Sequence, residues 1–231
     1  IYFLQKMNNF STEIAIIGSG VIGLAIARNF LQKGKEVLIL EELSEFGQIT
    51  SSRNSGVIHA GIYYDENSLK AKMCLKGNKL LYEYCKKHSI PHRNTKKILV
   101  ASSHEQIRII DSIKLQAEKN GVENIQKITS SQVTSLESLI KCEEALLIPS
   151  SGIIDSISFM SSLEGEINDN QGMISYNSKV SKINFDGKLF SLEVLDENRN
   201  ITIINCKTLI NSAGLFASQV AHKIKELNKK Y

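Results

Sequence analysis

The chain has 231 residues, of which 42% are hydrophobic and 23% are charged, a globular balance that excludes a disordered or fibrous protein. Its formal net charge of +4 is small and dispersed, which argues against nucleic acid as a partner. The four cysteines, Cys74, Cys85, Cys142 and Cys206, form no C-x-x-C pair, so we expect reduced thiols and no metal site.

The first predicted unit is a strand, a glycine-rich turn, a helix and a second strand. The apolar run Glu13–Gly18 predicts a buried strand, Val21–Lys33 a helix that Gly34 ends, and Glu36–Leu40 another buried strand. Such a βαβ unit places its two strands parallel through a right-handed crossover. Residues 1–11 are predicted to be an N-terminal extension.

Helices predominate in the middle of the chain. The pattern predicts helices at 67–88, 104–119 and 153–168, a strand at 97–101, and a polar connector with a short helix at 129–145. The apolar positions of the first of these helices are Leu69, Met73, Leu80, Leu81 and Tyr84.

Strands dominate the last part of the chain. They are predicted at 173–176 with 180–185, at 189–195, at 201–206 and at 208–210. Asp186-Gly187 predicts a hairpin turn. We expect a helix from the sequence NSAG to the end of the chain.

The turn of the first unit carries the pattern G-x-G-x-x-G, in Gly18-Ser19-Gly20-Val21-Ile22-Gly23. It follows a strand, opens a helix and precedes an acidic residue at the end of the next strand, which is the context of a dinucleotide site. Free N–H groups at the helix start would face the pyrophosphate. Glu41 would accept hydrogen bonds from the ribose and disfavour a 2′-phosphate, so we expect NAD or FAD; Glu42 is the alternative ribose partner. A glycine-rich turn without a ligand is the alternative for the motif.

The stretch TSSRNSGVIHAGIYY, residues 50–64, combines hydroxyl, amide, guanidinium and imidazole groups with two glycines and no acidic residue. A surface loop would normally include Lys and Glu, and a core strand would not carry Arg, Asn and His. This composition predicts a segment built around a polar ligand.

This stretch resembles the flavin-contacting segment of the FAD-dependent family that includes D-amino acid oxidase and glycerol-3-phosphate dehydrogenase. More narrowly, it is similar to L-2-hydroxyglutarate dehydrogenases and oxidases. The similarity extends to segments 68–72, 80–85, 90–92, 97–101, 145–155 and 211–215. Departures include Lys96-Lys97, where the family usually has Gly-Lys, and Ile157, where some relatives have His. The chain also stops at Tyr231, before further family segments, so we expect a fragment or a truncated protein.

The resemblance implies an α/β fold, with a Rossmann-like FAD-binding domain of parallel sheet plus β-meander and an inserted, incomplete α+β substrate domain. The implied boundaries are 12–90 and 149–231 for the two segments of the FAD-binding domain and 91–148 for the partial substrate domain.

The implied cofactor is FAD. The predicted cofactor-binding residues are Gly18, Gly20, Val21, Ile22, Gly23, Glu41, Glu42, Ser51, Ser52, Arg53, Asn54, Ser55, Gly56, Val180, Ala213 and Gly214. The alternatives are a solvated surface charge for Arg53, plain strand packing for Val180, and an ordinary turn for Ala213 and Gly214.

His59 is the predicted catalytic residue, because the resemblance places it near the flavin ring and imidazole accepts a proton near neutral pH. A further flavin or substrate contact and a hydrogen-bonded core histidine are its alternatives. Tyr63 and Tyr64 are predicted to line the substrate pocket, with aromatic core packing as the alternative.

The resemblance implies oxidation of L-2-hydroxyglutarate, or a similar 2-hydroxy acid, to the 2-oxo acid by hydride transfer to flavin N5. Glycerol 3-phosphate or an amino acid as substrate, and an inactive nucleotide-binding remnant, are the alternatives. We expect a quinone or oxygen as electron acceptor and no nucleic acid. The expected location is the cytoplasm, with peripheral attachment at the inner membrane as an option and the mitochondrion if the source is eukaryotic.

Overall fold

The computed structural model describes residues 8–224 and Leu227. The strands are β1 (Asn8–Ile17), β2 (Val37–Leu40), β3 (Val57–Ile58), β4 (His92–Arg93), β5 (Lys97–Ala101), β6 (Gln126–Thr129), β7 (Glu144–Ile148), β8 (Gly152–Ile154), β9 (Met173–Ser175), β10 (Lys179–Phe185), β11 (Phe190–Leu195) and β12 (Ile201–Asn211). The helices are α1 (Val21–Leu31), α2 (Leu69–Lys87), α3 (His104–Lys119), α4 (Ser130–Leu136), α5 (Ser156–Asp169) and α6 (Ala217–Ala221), with a 3-10 turn at Gly214–Phe216.

The chain divides into two compact units. Unit 1 comprises residues 1–54 and 156–231, and unit 2 comprises residues 55–155. The predicted boundaries between the FAD-binding and substrate domains, at 90 and 148, stay a prediction. They concern which ligand each part binds, whereas the compact units reflect only contacts within the chain.

Unit 1 is built on a six-stranded sheet in the order β10-β11-β12-β1-β2-β9. β1 lies parallel to β2 and to β12, and β9 is parallel to β2, so the expected βαβ pairing is confirmed. β10, β11 and β12 pair antiparallel as a meander, with the predicted hairpin turn at Gly187, where φ is +93°. The mixed α/β fold with a parallel sheet is therefore confirmed.

Apolar side chains from both parts of this sheet form one core. Ala15 and Leu40 of the parallel strands and Ile183, Leu192 and Ile204 of the meander are at most 5% exposed and belong to the same cluster. Strands buried in this way read as near-continuous apolar runs, which explains the sequences EIAIIG and EVLIL.

Helices α1 and α5 pack against each other. Leu24 of α1 and Leu163 of α5 are buried, and Arg28 forms an ion pair with Glu166 at the edge of this packing. α1 ends where the N–H of Gly34 donates to Leu31 O (2.9 Å) and Gly34 adopts a φ of +72°, a conformation that glycine takes without strain.

Unit 2 contains two small antiparallel sheets. Their strand orders are β3-β8-β4 and β5-β7-β6. α3 packs on the second sheet through Ile110 and Ala117, which share a core with Leu146 and Ile148 of β7. Ser103 caps α3, since its side chain accepts from Gln106 N, and the helix has the predicted bounds 104–119.

The predicted helix at 67–88 is present as α2. Its apolar positions Leu69, Met73 and Leu80 are 75%, 60% and 51% exposed, and the helix buries Ala71 and Cys85. The start of another predicted helix is wrong. The segment 153–155, predicted to begin a helix, includes the end of β8, because its backbone pairs with β3 and β4.

The two ends of the sheet in unit 1 also differ from prediction. β12 is one continuous strand through Lys207, because its pairing with β1 runs from Thr202 to Asn211. β1 begins at Asn8, so residues 8–11 of the predicted N-terminal extension belong to the sheet, and residues 1–7 lie outside the described residues. The predicted C-terminal helix ends at Ala221, and Ile224 makes a β-bridge with Ile183; of the later residues only Leu227 is described.

None of the helices in the described part of the chain combines the length and apolar character that a membrane crossing requires.

Candidate cofactor site

The glycine-rich turn joins the end of β1 to the start of α1 in a conformation that needs its glycines. Gly18 has a φ of +100°, and a Cβ built on it would lie 2.6 Å from Ser212 O. A Cβ on Gly23 would lie 2.0 Å from Gly18 O, so the first turn of α1 packs directly on the backbone of the turn. Side chains at either position would open the turn, so both glycines are needed for its tight packing.

The start of α1 presents bare backbone. Gly20 is the N-cap residue and gives the helix no side-chain cap, and Ile22 is 62% exposed. The N–H of Val21 donates to Ser51 Oγ (3.1 Å), and a Cβ on Gly20 would lie 3.1 Å from the same oxygen. Ser51 therefore occupies the first N–H group of the helix. The next N–H groups and the helix dipole still favour an anion at this end.

Glu41 lies at the end of β2 and beside the glycine turn. Its carboxylate accepts hydrogen bonds from Ser19 N (2.8 Å), Ser19 Oγ (2.9 Å) and Leu43 N (3.0 Å). Ser19 is fully buried, so these bonds fix the carboxylate against the turn. Glu42 is exposed and forms an ion pair with Lys179 instead. The acidic group that the fold brings to the turn is therefore Glu41.

The loop from Ser44 to Asn54 uses its polar side chains largely to bind its own backbone. Arg53 Nε donates to Gln48 O (3.2 Å), and Asn54 Nδ2 donates to Ser51 O (2.8 Å). Ser52 Oγ donates to Ile49 O (3.4 Å). These bonds shape the loop that carries Ser51 to the start of α1, and direct contact of Arg53 or Asn54 with a ligand stays a prediction.

Residues 211–214 form a second close approach to the turn. The N–H of Ser212 donates to Ile17 O (2.9 Å), which extends the β1–β12 pairing to the end of the strand. Asn211 orders the next turn, since its side chain accepts from Ala213 N (3.2 Å) and donates to Ala217 O (2.7 Å). Gly214 has a φ of +53°. Sequence reasoning missed Asn211 and Ser212 as site residues, although an Asn at the end of a buried strand is a signal for such a turn.

Val180 lies in β10 with 4% of its surface exposed. Its carbonyl oxygen accepts a hydrogen bond from Lys223 Nζ, and burial lowers the pKa of the Lys223 ammonium, with Lys179 adding repulsion. The Val180 side chain packs in the core, and contact of its backbone with adenine stays a prediction. Lys223 carries no signal in the sequence that would separate it from the other lysines near the end of the chain.

Two predicted residues lie at the start of unit 2. Ser55 is exposed. Gly56 has a φ of +61°, and a Cβ on it would lie 2.7 Å from Ile154 O. Its own carbonyl oxygen accepts from Ile154 N (2.8 Å). Gly56 is thus required for the pairing of β3 with β8, whether or not it also contacts the cofactor.

His59 is exposed, so the alternative of a core histidine is wrong. It lines a small pocket within unit 2 together with Tyr63, Tyr64, Lys97 and Ser151. Tyr63 is 52% exposed, which also contradicts core packing for that ring. The structure therefore brings the predicted catalytic residue and both predicted substrate residues to one surface.

Among the described residues, no group of three or more His, Cys, Asp or Glu side chains is placed to hold a metal ion.

Comparison with known proteins identifies the family. A model of the family described as FAD dependent oxidoreductase matches residues 13–230. The chain belongs to the FAD-dependent oxidoreductase family. The family is described as FAD dependent, and the resemblance to it that the sequence indicates is confirmed.

Two curated relatives and one solved structure give the detail. The chain is 36% identical to an Arabidopsis thaliana protein and 38% identical to a Dictyostelium discoideum protein, both named L-2-hydroxyglutarate dehydrogenase, mitochondrial. These matches cover 95% and 80% of the chain and 51% and 42% of the relatives, so the chain spans about half the length of the curated relatives it matches.

The solved structure is a dithionite-reduced L-alpha-glycerophosphate oxidase from Mycoplasma pneumoniae with FAD bound. It has a TM-score of 0.86 and 27% identity, and the match covers 93% of this chain and 57% of that one.

The residues of unit 1 fit the polar parts of FAD. The pyrophosphate is an anion, and the uncapped start of α1 supplies backbone N–H groups beside glycines that leave room for it. The ribose carries hydroxyls, and Glu41 is a carboxylate fixed at the same turn. Gly18, Gly20, Gly23, Glu41 and Ser51 would hold the cofactor there.

Proposed function

We propose that this chain is the FAD-binding part of an enzyme that oxidises L-2-hydroxyglutarate, or a similar 2-hydroxy acid, to the 2-oxo acid. The observation that carries the proposal is the 36% identity over 95% of the chain to a protein named L-2-hydroxyglutarate dehydrogenase. The uncapped helix start and the fixed Glu41 carboxylate support a dinucleotide site independently.

Residues of the chain suggest how the substrate is bound and how its hydroxyl proton is removed. FAD, when bound, supplies a hydride acceptor at flavin N5. His59 is exposed on the pocket of unit 2, where its imidazole would take the proton of the substrate hydroxyl. Tyr63 and Tyr64 would line the same pocket. The electron acceptor that completes the cycle is a quinone or oxygen.

The names of the curated relatives also support a proposal for where in the cell this protein is found. Both curated relatives described above are named mitochondrial. We therefore favour the mitochondrion over the cytoplasm if the source is eukaryotic, and cell fractionation with an antibody to the chain would test this.

A second candidate substrate is glycerol 3-phosphate. It is favoured by the match, with a TM-score of 0.86 and 27% identity, to a structure titled as an L-alpha-glycerophosphate oxidase. The two substrates differ in their anionic group, so one substrate panel distinguishes them.

The decisive experiment has two steps. First, the purified chain is incubated with FAD, and uptake is measured by flavin absorbance after gel filtration. Second, the chain and a version extended to the length of the relatives are assayed with a dye acceptor and L-2-hydroxyglutarate, glycerol 3-phosphate or glycine. We expect FAD uptake and dye reduction by L-2-hydroxyglutarate. A colourless protein in both lengths would support the inactive remnant, and reduction by glycerol 3-phosphate alone would reject our choice of substrate.

A further inference from the structure

The pocket beside His59 is assembled from three separate segments of unit 2. They are the segment 59–64 after β3, the start of β5 at Lys97, and Ser151 between β7 and β8. Hydrogen bonds to their main chains hold these segments together, so the pocket is a property of the fold and not of a loose loop.

Asn78 of α2 ties the first segment to the third. Its Nδ2 donates to His59 O (2.9 Å) and to Ser150 O (2.9 Å). The N–H of Lys96 donates to Ser151 O (2.9 Å), which joins the second segment to the third. Asn78 is thus a positioning residue, because it fixes the backbone at His59 and at Ser150.

Ser151 presents an unused hydroxyl in this pocket. The residue is 2% exposed, and its Oγ has no hydrogen-bond partner among the described residues. A buried hydroxyl without a partner is unfavourable, so buried polar groups of this kind normally have a ligand or water to bind.

Lys97 gives the pocket its charge. Its Nζ lies 5.6 Å from the centroid of the Tyr63 ring, within the range of a cation–π contact that holds the ammonium group at the pocket. No Asp or Glu lines the pocket, and no ion pair joins Lys97 to a carboxylate in the described part of the chain. A cation without an acidic partner beside a free hydroxyl favours an anionic ligand.

The size of the space limits which anion can enter. The pocket holds about 10 Å³, which is close to what one water-sized group needs. A space of this size admits one oxygen atom of a ligand and not a whole molecule. A carboxylate has two oxygens, so one can accept from the Ser151 hydroxyl inside the space while the other accepts from the Lys97 ammonium group.

We propose that Lys97 and Ser151 form a binding subsite for one carboxylate group of the substrate. This inference rests on the proposed function, because it assumes that the substrate is an anionic 2-hydroxy acid that reaches His59. Lys97 and Ser151 bind the substrate here and take no part in the proton or hydride transfer.

The test uses glutarate, a dicarboxylate that cannot be oxidised at a hydroxyl. Glutarate binding to the FAD-incubated chain is measured by isothermal titration, with NMR shifts of the labelled histidines as a second readout. We expect Lys97→Met and Ser151→Ala to weaken binding, Lys97→Met by about tenfold. Lys96→Met is the matched control, because it removes the same charge from the neighbouring residue outside the pocket lining, and it should bind glutarate like the unmodified chain.

Substrate kinetics on the extended version identify which carboxylate is held. Lys97→Met should raise KM for L-2-hydroxyglutarate with little change in kcat, since a binding residue acts on both the ground state and the transition state. With L-2-hydroxybutyrate, which lacks the distal carboxylate, the effect disappears if the subsite holds the distal group and persists if it holds the group next to the hydroxyl.

The outcomes separate this inference from the proposed function. A chain that takes up FAD but binds glutarate equally with Lys97→Met, Ser151→Ala and Lys96→Met overturns the subsite alone. A chain that takes up no FAD overturns the proposed function, and the glutarate titration still reports on Lys97 and Ser151.

Discussion

Two helical glycines of unit 1 lead to opposite expectations at the residue scale. A Cβ on Gly23 in α1 would meet Gly18 O at 2.0 Å, whereas a Cβ on Gly165 in α5 would meet nothing within 4 Å. We expect Gly23→Ala to lower the free energy of unfolding by about 2 to 3 kcal/mol through overpacking. Gly165→Ala should raise it by about 0.5 to 1 kcal/mol, because alanine favours the helix. Urea denaturation measures both, and equal effects would contradict the packing of α1 on the turn.

Glu41 and Glu42 are neighbours with different surroundings, and they allow the ribose partner to be tested. Glu41 is fixed at the turn by Ser19, while Glu42 pairs with Lys179 at the surface. We expect Glu41→Gln to weaken FAD binding by about tenfold, because hydrogen bonds to a charged acceptor are the stronger kind. Glu42→Gln should leave it nearly unchanged. Quenching of flavin fluorescence gives both dissociation constants, and the reverse order would make Glu42 the ribose partner.

Cys206 in β12 is a buried thiol, and we expect it to lower the free energy of unfolding at alkaline pH. Burial raises the pKa of this thiol to about 11 from the ordinary value of 9.0. Because the folded state holds the proton more tightly, the contribution of the thiol is complete below pH 9.0 and is lost as the pH rises through about 11. The loss is roughly 2 to 3 kcal/mol, since one pKa unit corresponds to about 1.4 kcal/mol.

The measurement for Cys206 is a comparison, because lysines and tyrosines also titrate in this range. The free energy of unfolding of the unmodified chain and of Cys206→Ala is followed between pH 8 and 11. The difference between them should shrink as the pH rises. A constant difference would show that the thiolate does not form in the folded sheet or costs nothing there.

At the scale of elements, the exposed face of α2 and the buried face of α5 allow the same substitution, Leu→Ala, to be compared at an exposed and a buried position. Leu80 of α2 is 51% exposed and Leu163 of α5 is 2% exposed. Leu80→Ala should change the stability of the chain by less than about 0.5 kcal/mol, while Leu163→Ala should lower it by about 2 to 5 kcal/mol. Thermal or urea unfolding of the two variants checks this, and a large loss from Leu80→Ala would mean that this helix face is covered in solution.

The elements predicted correctly from the sequence are those whose local signals agree with their packing. α3 has the predicted bounds because Ser103 caps it and Asn120-Gly121 ends it. The first βαβ unit was predictable because the periodicity changes at a glycine-rich turn. In both cases the signals that fix the element lie within it or directly beside it in sequence.

The wrong predictions depend on contacts that are distant in sequence. A charged residue such as Lys207 within an apolar run predicts the end of a strand, but pairing with β1 carries β12 to Asn211. The periodicity of α2 indicates an amphipathic helix but does not tell which apolar residues the rest of the chain covers. At the candidate site, the glycines and Glu41 were predictable from spacing, whereas Lys97 and Ser151 depend on three segments that only the fold brings together.

At the scale of the whole molecule, the ends of unit 2 meet. Val57 pairs with Ile153, and Ile154 N donates to Gly56 O (2.8 Å). Unit 2 also has its own core, which includes Ile110, Leu146 and Ile148. A segment with adjacent ends and a core of its own has the features of an independently folding piece.

We therefore expect a fragment of residues 55–155 to fold on its own. Circular dichroism should show helix and strand signals and a cooperative thermal transition. A fragment of residues 1–54 is the contrasting case, because β1 there lacks β12, and it should stay unfolded. A non-cooperative transition in the 55–155 fragment would show that unit 2 depends on the remainder of the chain.

The parallel pairing of β1 with β12 has a consequence for biosynthesis. Asn8 pairs with Thr202. During synthesis β1 therefore leaves the ribosome about 190 residues before β12, the strand with which it pairs. At about 5 to 20 residues per second, this delay is about 10 to 40 s. Unit 2 can fold during that interval, while the apolar edge of β1 stays open to chaperones. The glycine turn at Gly18 can reach its final packing only after Ser212 has left the ribosome, because Ser212 contacts Gly18 and its N–H donates to Ile17 O.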